Sequence, residues 1–287
     1  GYATTGTFYQ QFKQEFEARW GQIWEPGTAV FQYRNDQRPT TLWYHDHTLG
    51  MTRLNVYAGP AGFYLIRSDR DPVAKRLPRP APRRGDKSGT KYREIPIVIQ
   101  DRSFNADGSL FYPDNRAFFE GLNTPGQAPQ FPGAPELRIP LQPEMALDGQ
   151  MSDISPQWNP EFFGNTMVVN GKTWPYLTVE QRRYRFRLLN GSQSRFLILK
   201  MSNGTPFTQI GSDGGYLHKP VRLRQLLIAP AERADVIVDF AKVKRGTRII
   251  LRNIGPDEPF GGGEAGEEFE FADPGTTGQV MQFRVRA

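Results

Sequence analysis

This sequence predicts an all-β fold, a sandwich or barrel of short strands. Three observations carry the prediction. Glycine at 29 and proline at 24 of 287 residues punctuate the chain with turns. Beyond Phe162, short apolar runs follow one another with almost no helical periodicity. The segment Arg183-Tyr184-Arg185-Phe186-Arg187-Leu188 alternates cleanly, so Tyr184, Phe186 and Leu188 are expected inside and the three arginines outside.

Taken in order, the chain opens with Phe8, Phe12, Phe16 and Trp20. Their i, i+4 spacing puts them on one helical face, expected to pack into a core. Val30 to Arg34 alternates, and Asn35-Asp36-Gln37-Arg38-Pro39 signals a turn. A strand is predicted over Thr41 to His47 and another over Gly62 to Ile66. Residues 71–94 interleave Lys75, Arg76, Arg79, Arg83, Arg84, Lys87, Lys91 and Arg93 with Pro78, Pro80 and Pro82, the composition of an extended, solvated linker. Ile95 to Ile99 reads as a strand, and residues 113–160 as a long irregular insertion rich in Pro, Gly and Asn.

Asn170-Gly171 between Met167-Val168-Val169 and Trp174 to Val179 is a hairpin signal. Further strands are predicted over Phe196 to Met201, Gln225 to Ile228, Asp235 to Phe240, Arg248 to Leu251 and Gln279 to Val285. Gly261-Gly262-Gly263 with Glu264, Glu267, Glu268 and Glu270 reads as a flexible acidic loop.

Composition excludes several functions. Without cysteine there is no disulfide scaffold, thiolate zinc site, iron–sulfur cluster or Cys nucleophile. Apolar runs fall far short of the roughly 20 residues that span a bilayer. The formal charge of +6 is concentrated in the linker, where it reads as a solvated run and not as a nucleic-acid surface. No nucleophile elbow, phosphate-cradling glycine loop or HExxH helix is present. Gly1-Tyr2-Ala3 has neither an initiator Met nor a leader, so a processed product or a piece of a longer chain is expected.

The chemistry concentrates on Trp43-Tyr44-His45-Asp46-His47. On a strand, residues i and i+2 share a face with Cα atoms about 6.6 Å apart. His45 and His47 then reach the same space, while Tyr44 and Asp46 point away. The pair can clamp one metal, supply one ligand to each of two metals, or hydrogen-bond in a core. Imidazole suits Zn, Cu, Fe and Ni. His218, in a Gly-Gly-Tyr-Leu-His-Lys-Pro stretch, is expected on a surface turn. Asp101, Asp213 and Glu232 are expected in structural hydrogen bonds of strand-flanking turns.

Extended, Leu42-Trp43-Tyr44-His45-Asp46-His47-Thr48-Leu49-Gly50-Met51-Thr52-Arg53-Leu54-Asn55-Val56-Tyr57-Ala58-Gly59 resembles the second copper-binding motif of bacterial multicopper oxidases, of the spore-coat laccase and bilirubin-oxidase type. Collinear stretches resemble the family's middle domain: Val169 to Tyr176, Tyr184 to Asn190, Gly211 to Gly215 and Ala229 to Asp235. Pro60 and His218 depart from it, where Leu and Pro are expected.

The resemblance implies cupredoxin-like Greek-key units, one partial over residues 1–70 and one complete over 95–287. It implies that His45 and His47 each bind one copper of a type 3 pair within a trinuclear cluster. It further implies oxidation of phenolic, aromatic or metal-ion donors, with dioxygen reduced to water. The first, third and fourth copper motifs are absent from these 287 residues. Missing domains or a complementary chain are therefore needed to complete the sites, and this chain alone is expected to be inactive. A periplasmic, extracellular or spore-coat location follows from the same resemblance. Two other readings stand beside it: a copper-free cupredoxin-fold structural or interaction protein, and a simple metal-binding module built on His45 and His47.

Overall fold

The computed structural model describes residues 4–5, 8–28, 30–31, 33–48, 51–113, 121, 123, 128–129, 132–135 and 161–286. Most of the predicted 113–160 insertion lies outside the described residues. Two units separate, Gly1–Gln37 and Arg38–Ala287.

In the first unit, helix α1 (Tyr9–Trp20) ends at Gly21, whose φ of 62° lets its N–H reach the Glu17 carbonyl. The expected aromatic face is there, but it is not a core. No residue of α1 is buried, and Phe8, Phe12 and Trp20 are 59%, 53% and 46% exposed. Within this unit, Trp24 folds back edge-on to Phe16 at 5.5 Å and to Tyr9 at 6.1 Å. One indole covers too little of the face to bury it. The alternation over Val30 to Arg34 forms no strand at the described residues, because no partner strand pairs with it.

The second unit begins with an antiparallel pair, β1 (Thr40–His45) and β2 (Ala61–Ile66), in register from Thr40↔Ile66 to His45↔Ala61. Helix α2 (Thr52–Ala58) lies between them in sequence. A single 3₁₀ turn at Ala74–Arg76 and a mostly exposed stretch then lead to β3 (Glu94–Arg102). The Pro80 carbonyl accepts the N–H groups of both Arg93 and Glu94 where this stretch meets the sheet.

Eleven further strands follow in turn. They are β4 (Thr166–Val169), β5 (Lys172–Thr173), β6 (Tyr176–Glu180), β7 (Arg183–Asn190), β8 (Leu197–Met201) and β9 (Phe207–Ser212). After them come β10 (Gly215–Leu223), β11 (Leu226–Ile228), β12 (Arg233–Asp239), β13 (Arg248–Asn253) and β14 (Gln279–Arg286).

With β3 they form a sheet of order β10-β9-β12-β7-β3-β4-β5 and a second of order β11-β8-β13-β14-β6. The β3–β7 and β14–β6 pairs are parallel; the others are antiparallel. Ile97, Ile99, Phe186, Leu188, Val236 and Val238 from the first sheet meet Leu197, Leu199, Ile249, Leu251, Phe283 and Val285 from the second in one core.

The Asn170-Gly171 turn forms as predicted, with φ of 49° and 78°. Its second arm is shorter than expected. After β5 the chain turns at Trp174, at a φ of 39°, and Tyr176–Glu180 joins the other sheet beside β14. Strands β9 and β10 were not anticipated, and His218 lies on β10 instead of in a turn; it is exposed, as expected.

Strand β7 corrects a second expectation. Tyr184, Phe186 and Leu188 do face the core. Of the three arginines, only Arg183 faces solvent, with 71% of its side chain exposed. Arg185 and Arg187 keep 2% and 4%. On their side of the sheet they meet Thr41 of β1, with Glu94 of β3 and Tyr216 of β10 beside them in the same sheet. Arg185 donates from Nε to Asp235 at 2.8 Å, and a second short contact runs from its Nη2. Arg187 donates from Nε to Glu94 at 2.7 Å and from Nη1 to Thr41 Oγ1 at 2.7 Å. Two buried cations thus face two buried carboxylates, the balance that makes burial of charge tolerable.

Candidate metal centre

Strand β1 carries the candidate site at its end. Trp43 and His45 share a face, as a period of two requires, and their rings stack at 4.4 Å with 28° between planes. The strand stops at His45, short of the predicted His47. The cause is the following Asx turn, in which the Asp46 carboxylate accepts the Thr48 N–H at 3.0 Å and its hydroxyl at 2.9 Å. The turn nonetheless leaves the His45 and His47 rings together, 5.7 Å between centroids and tilted by 30°. The structure therefore brings the two histidines to one place, half-buried His45 beside exposed His47.

Each ring has a definite surrounding. His45 Nδ1 lies 2.6 Å from the Asp46 carbonyl oxygen. A carbonyl only accepts, so Nδ1 carries the proton and Nε2 keeps its lone pair for a ligand. Among the described residues, neither ring nitrogen of His47 has a hydrogen-bond partner. The Thr48 N–H leads the groups that hold the Asp46 carboxyl below the usual carboxylate range, followed by the Asn55 amide and the Thr48 hydroxyl. Tyr44 points away as expected and is 58% exposed, with its hydroxyl end over Gly62 of β2.

The start of β1 is fixed as firmly as its end. Thr40 Oγ1 donates to the Asp213 carbonyl at 3.0 Å, and Arg233 Nε donates to the Thr41 carbonyl at 3.0 Å. These bonds join β1 to the β9–β10 turn and to β12.

The other singled-out residues are structural. Asp101 is fully buried and accepts from Arg195 Nε at 3.0 Å and the Gly164 N–H at 2.8 Å. Asp213 accepts the Arg233 N–H and Glu232 accepts the Ala229 N–H, each at 2.7 Å. A cleft of about 520 Å³ opens beside Glu94, Arg187 and Tyr216, away from the histidine pair. No cluster of three or more His, Cys, Asp or Glu able to hold a metal occurs among the described residues, and no helix among them is long and apolar enough to cross a membrane. Sequence reasoning missed Trp43 as the stacking partner of His45 and Asn55 as a holder of Asp46. A Trp two residues before a strand histidine was the available signal for the first.

The family described as multicopper oxidase matches residues 140–253. The chain is 39% identical over 274 residues to a laccase of Bacillus stratosphericus, covering 96% of this chain and 43% of that protein. It is 41% identical over 256 residues to a laccase of Bacillus subtilis, covering 89% and 39%. Among solved structures, the McoA multicopper oxidase of the hyperthermophile Aquifex aeolicus superposes with a TM-score of 0.58 at 28% identity, covering 87% of this chain and 42% of that one. The chain thus spans about two fifths of the length of the relatives it matches.

Proposed function

Because this chain belongs to the multicopper oxidase family, we propose that it supplies two of the copper ligands, His45 and His47, one to each metal of a type 3 pair. The observation that carries the reading is the pair of imidazoles brought to the end of β1, 5.7 Å apart. The donor chemistry fits: two imidazoles suit copper, and the Nδ1–H bond of His45 to a backbone carbonyl is the usual way to fix a metal-binding tautomer.

Bound copper would supply one-electron chemistry toward dioxygen. This chain's residues have simpler tasks. Trp43 limits rotation of the His45 ring by stacking on it, and Asp46 orients that ring through its carbonyl. Arg187 and Arg233 hold Thr41, and so the strand that presents His45 and leads into the turn that carries His47.

The wider reading is laccase-like oxidation of phenolic, aromatic or metal-ion donors by the whole polypeptide, whose remaining copper ligands lie outside these residues. In it, residues 1–70 are the C-terminal half of a first cupredoxin-like unit, 71–94 a linker and 95–287 a second unit. An exported location, in the periplasm, outside the cell or on a spore coat, belongs to the same reading and is tested by fractionation.

Copper analysis of the longer polypeptide that carries this chain tests the ligand assignment. Two coppers are expected to depend on the pair, with His45→Ala and His47→Ala each lowering the content by about one. A single copper lost when both histidines are replaced together identifies a one-metal clamp instead. Unchanged content in both removes the assignment.

A further inference from the structure

Asp46, between the two histidines, is itself held, and the hold leads into the β-sandwich. Its carbonyl fixes the His45 ring at 2.6 Å, so any shift of Asp46 turns the imidazole. Its carboxylate accepts three hydrogen bonds. Two come from Thr48, which belongs to the same turn and moves with it. The third comes from outside the turn: Asn55 Nδ2 donates to Asp46 Oδ1 at 3.1 Å from helix α2.

A helix of 7 residues has no stability of its own. Helix α2 is instead anchored through Tyr57, which is 3% exposed. The Tyr57 hydroxyl accepts the Ser103 N–H at 2.9 Å and donates to the Phe111 carbonyl at 2.6 Å. The Arg102 guanidinium lies 4.5 Å above its ring, and Phe162 packs edge-on at 4.9 Å. One turn earlier, Gln193 Nε2 donates to the Arg53 carbonyl at 2.7 Å. Arg102 ends β3, Ser103 follows it, and Gln193 lies in the β7–β8 connection. A continuous chain of contacts therefore runs from the sandwich through Tyr57 and Asn55 to Asp46 and His45.

The geometry points to Asn55 as a positioning residue for the His45–His47 pair, with Tyr57 as the anchor that ties its helix to the sandwich. This inference rests on the copper-ligand reading above. Asn55 is not one of the proposed ligands; its amide reaches Asp46. It fixes the Asp46 carbonyl that selects the His45 tautomer with Nε2 available. Groups in this position are typically worth about 10–100-fold in metal affinity.

The test uses the full chain and the variant Asn55→Ala, with two readouts. Long-range ¹H–¹⁵N correlation spectra of the metal-free protein, at a pH where imidazole is neutral, report the His45 tautomer. Competition for Cu²⁺ against a chelator reports affinity. The expected result is an Nδ1–H tautomer in the wild type, a mixed population in Asn55→Ala, and Cu²⁺ affinity lowered about 10–100-fold, with the melting temperature nearly unchanged. Asn55→Gln keeps an amide donor and is expected to restore part of the affinity. An unchanged tautomer with affinity within about twofold overturns the proposal; so does a lower melting temperature with an unchanged tautomer. If Asn55→Ala misfolds, Asn55→Asp keeps the size, lacks the donor and decides by the same spectra. If the wild type takes up no copper at these histidines, the ligand assignment fails, and the tautomer comparison still decides the role of Asn55.

Discussion

Glu94→Gln removes one carboxylate from the buried ionic cluster behind β7 while keeping its shape. In the wild type this side chain is 5% exposed. It accepts from Arg67 Nη2 and Arg187 Nε, both at 2.7 Å, with Arg185 Nη1 at 3.5 Å. After the substitution, Arg185 and Arg187 share Asp235 alone, and one buried cation is uncompensated. Breaking a buried pair from one side costs about 3–5 kcal/mol. At about 2–4 °C per kcal/mol for a chain of this size, the melting temperature should fall by about 6–20 °C.

The pH dependence gives a second handle on the same residue. Burial alone would raise the Glu94 carboxyl, but hydrogen bonding to Arg67 and the charges of Arg187 and Arg185 outweigh it and hold the group below its ordinary range. A depressed folded value means that the contribution is fully present above the unfolded value, about 4.3. It is lost as pH falls through the folded value. The stability gap between wild type and variant should therefore be largest near neutrality and shrink on acidification, in denaturant melts at a series of pH values. Combining Glu94→Gln with Arg187→Met should cost at least about 1 kcal/mol less than the two single changes added together. A gap below about 1 kcal/mol at pH 7, or one that widens in acid, would refute the reasoning.

Four further outcomes follow from local geometry. Gly164→Ala places a Cβ 2.5 Å from the Arg102 backbone nitrogen, which cannot retreat, and should cost about 3 kcal/mol or more. Gly62→Ala meets the exposed end of Tyr44 at 2.8 Å, which can swing away, and should cost under about 1 kcal/mol; equal losses in denaturant melts would contradict both. Asn170→Ala should cost about 1–3 kcal/mol, because Asn170 holds a φ of 49° and its side chain caps the Val98 N–H at 2.9 Å and the Pro96 carbonyl at 3.0 Å; an unchanged melt would contradict it. Arg183→Ala breaks an exposed pair with Asp239 and should cost under about 1 kcal/mol, so a loss matching that of Glu94→Gln would show that burial is not what decides.

What the sequence disclosed depended on whether the determining contact was local. Asn170-Gly171 needs only its own two dihedral angles, and its turn was legible. So was the inward set Tyr184, Phe186 and Leu188. The outward set was not, because alternation distinguishes two faces of a strand without saying what covers the second. Arg185 and Arg187 are buried by Glu94, Thr41 and Asp235, residues far away in sequence. Strand β9 escaped because Thr208, Gln209 and Gly211 dilute its apolar residues, and β10 because Lys219-Pro220 reads as a turn; charge and proline are what an edge strand tolerates. At the site, the nearness of the His45 and His47 rings agrees with their spacing, although no strand reaches His47. The stop at His45 and the hold on Asp46 by Asn55 did not follow from spacing, since each depends on a side chain reaching across the turn. The aromatic face of α1 showed the opposite failure: its pattern was correct, and burial within its unit did not follow.

Anomalous diffraction at the copper absorption edge, on copper-loaded crystals of the polypeptide that carries this chain, tests the central claim most directly. The account predicts two separate peaks, one at bonding distance from a ring nitrogen of His45 and the other from His47. A single peak shared by both rings, or none beside either, would contradict it.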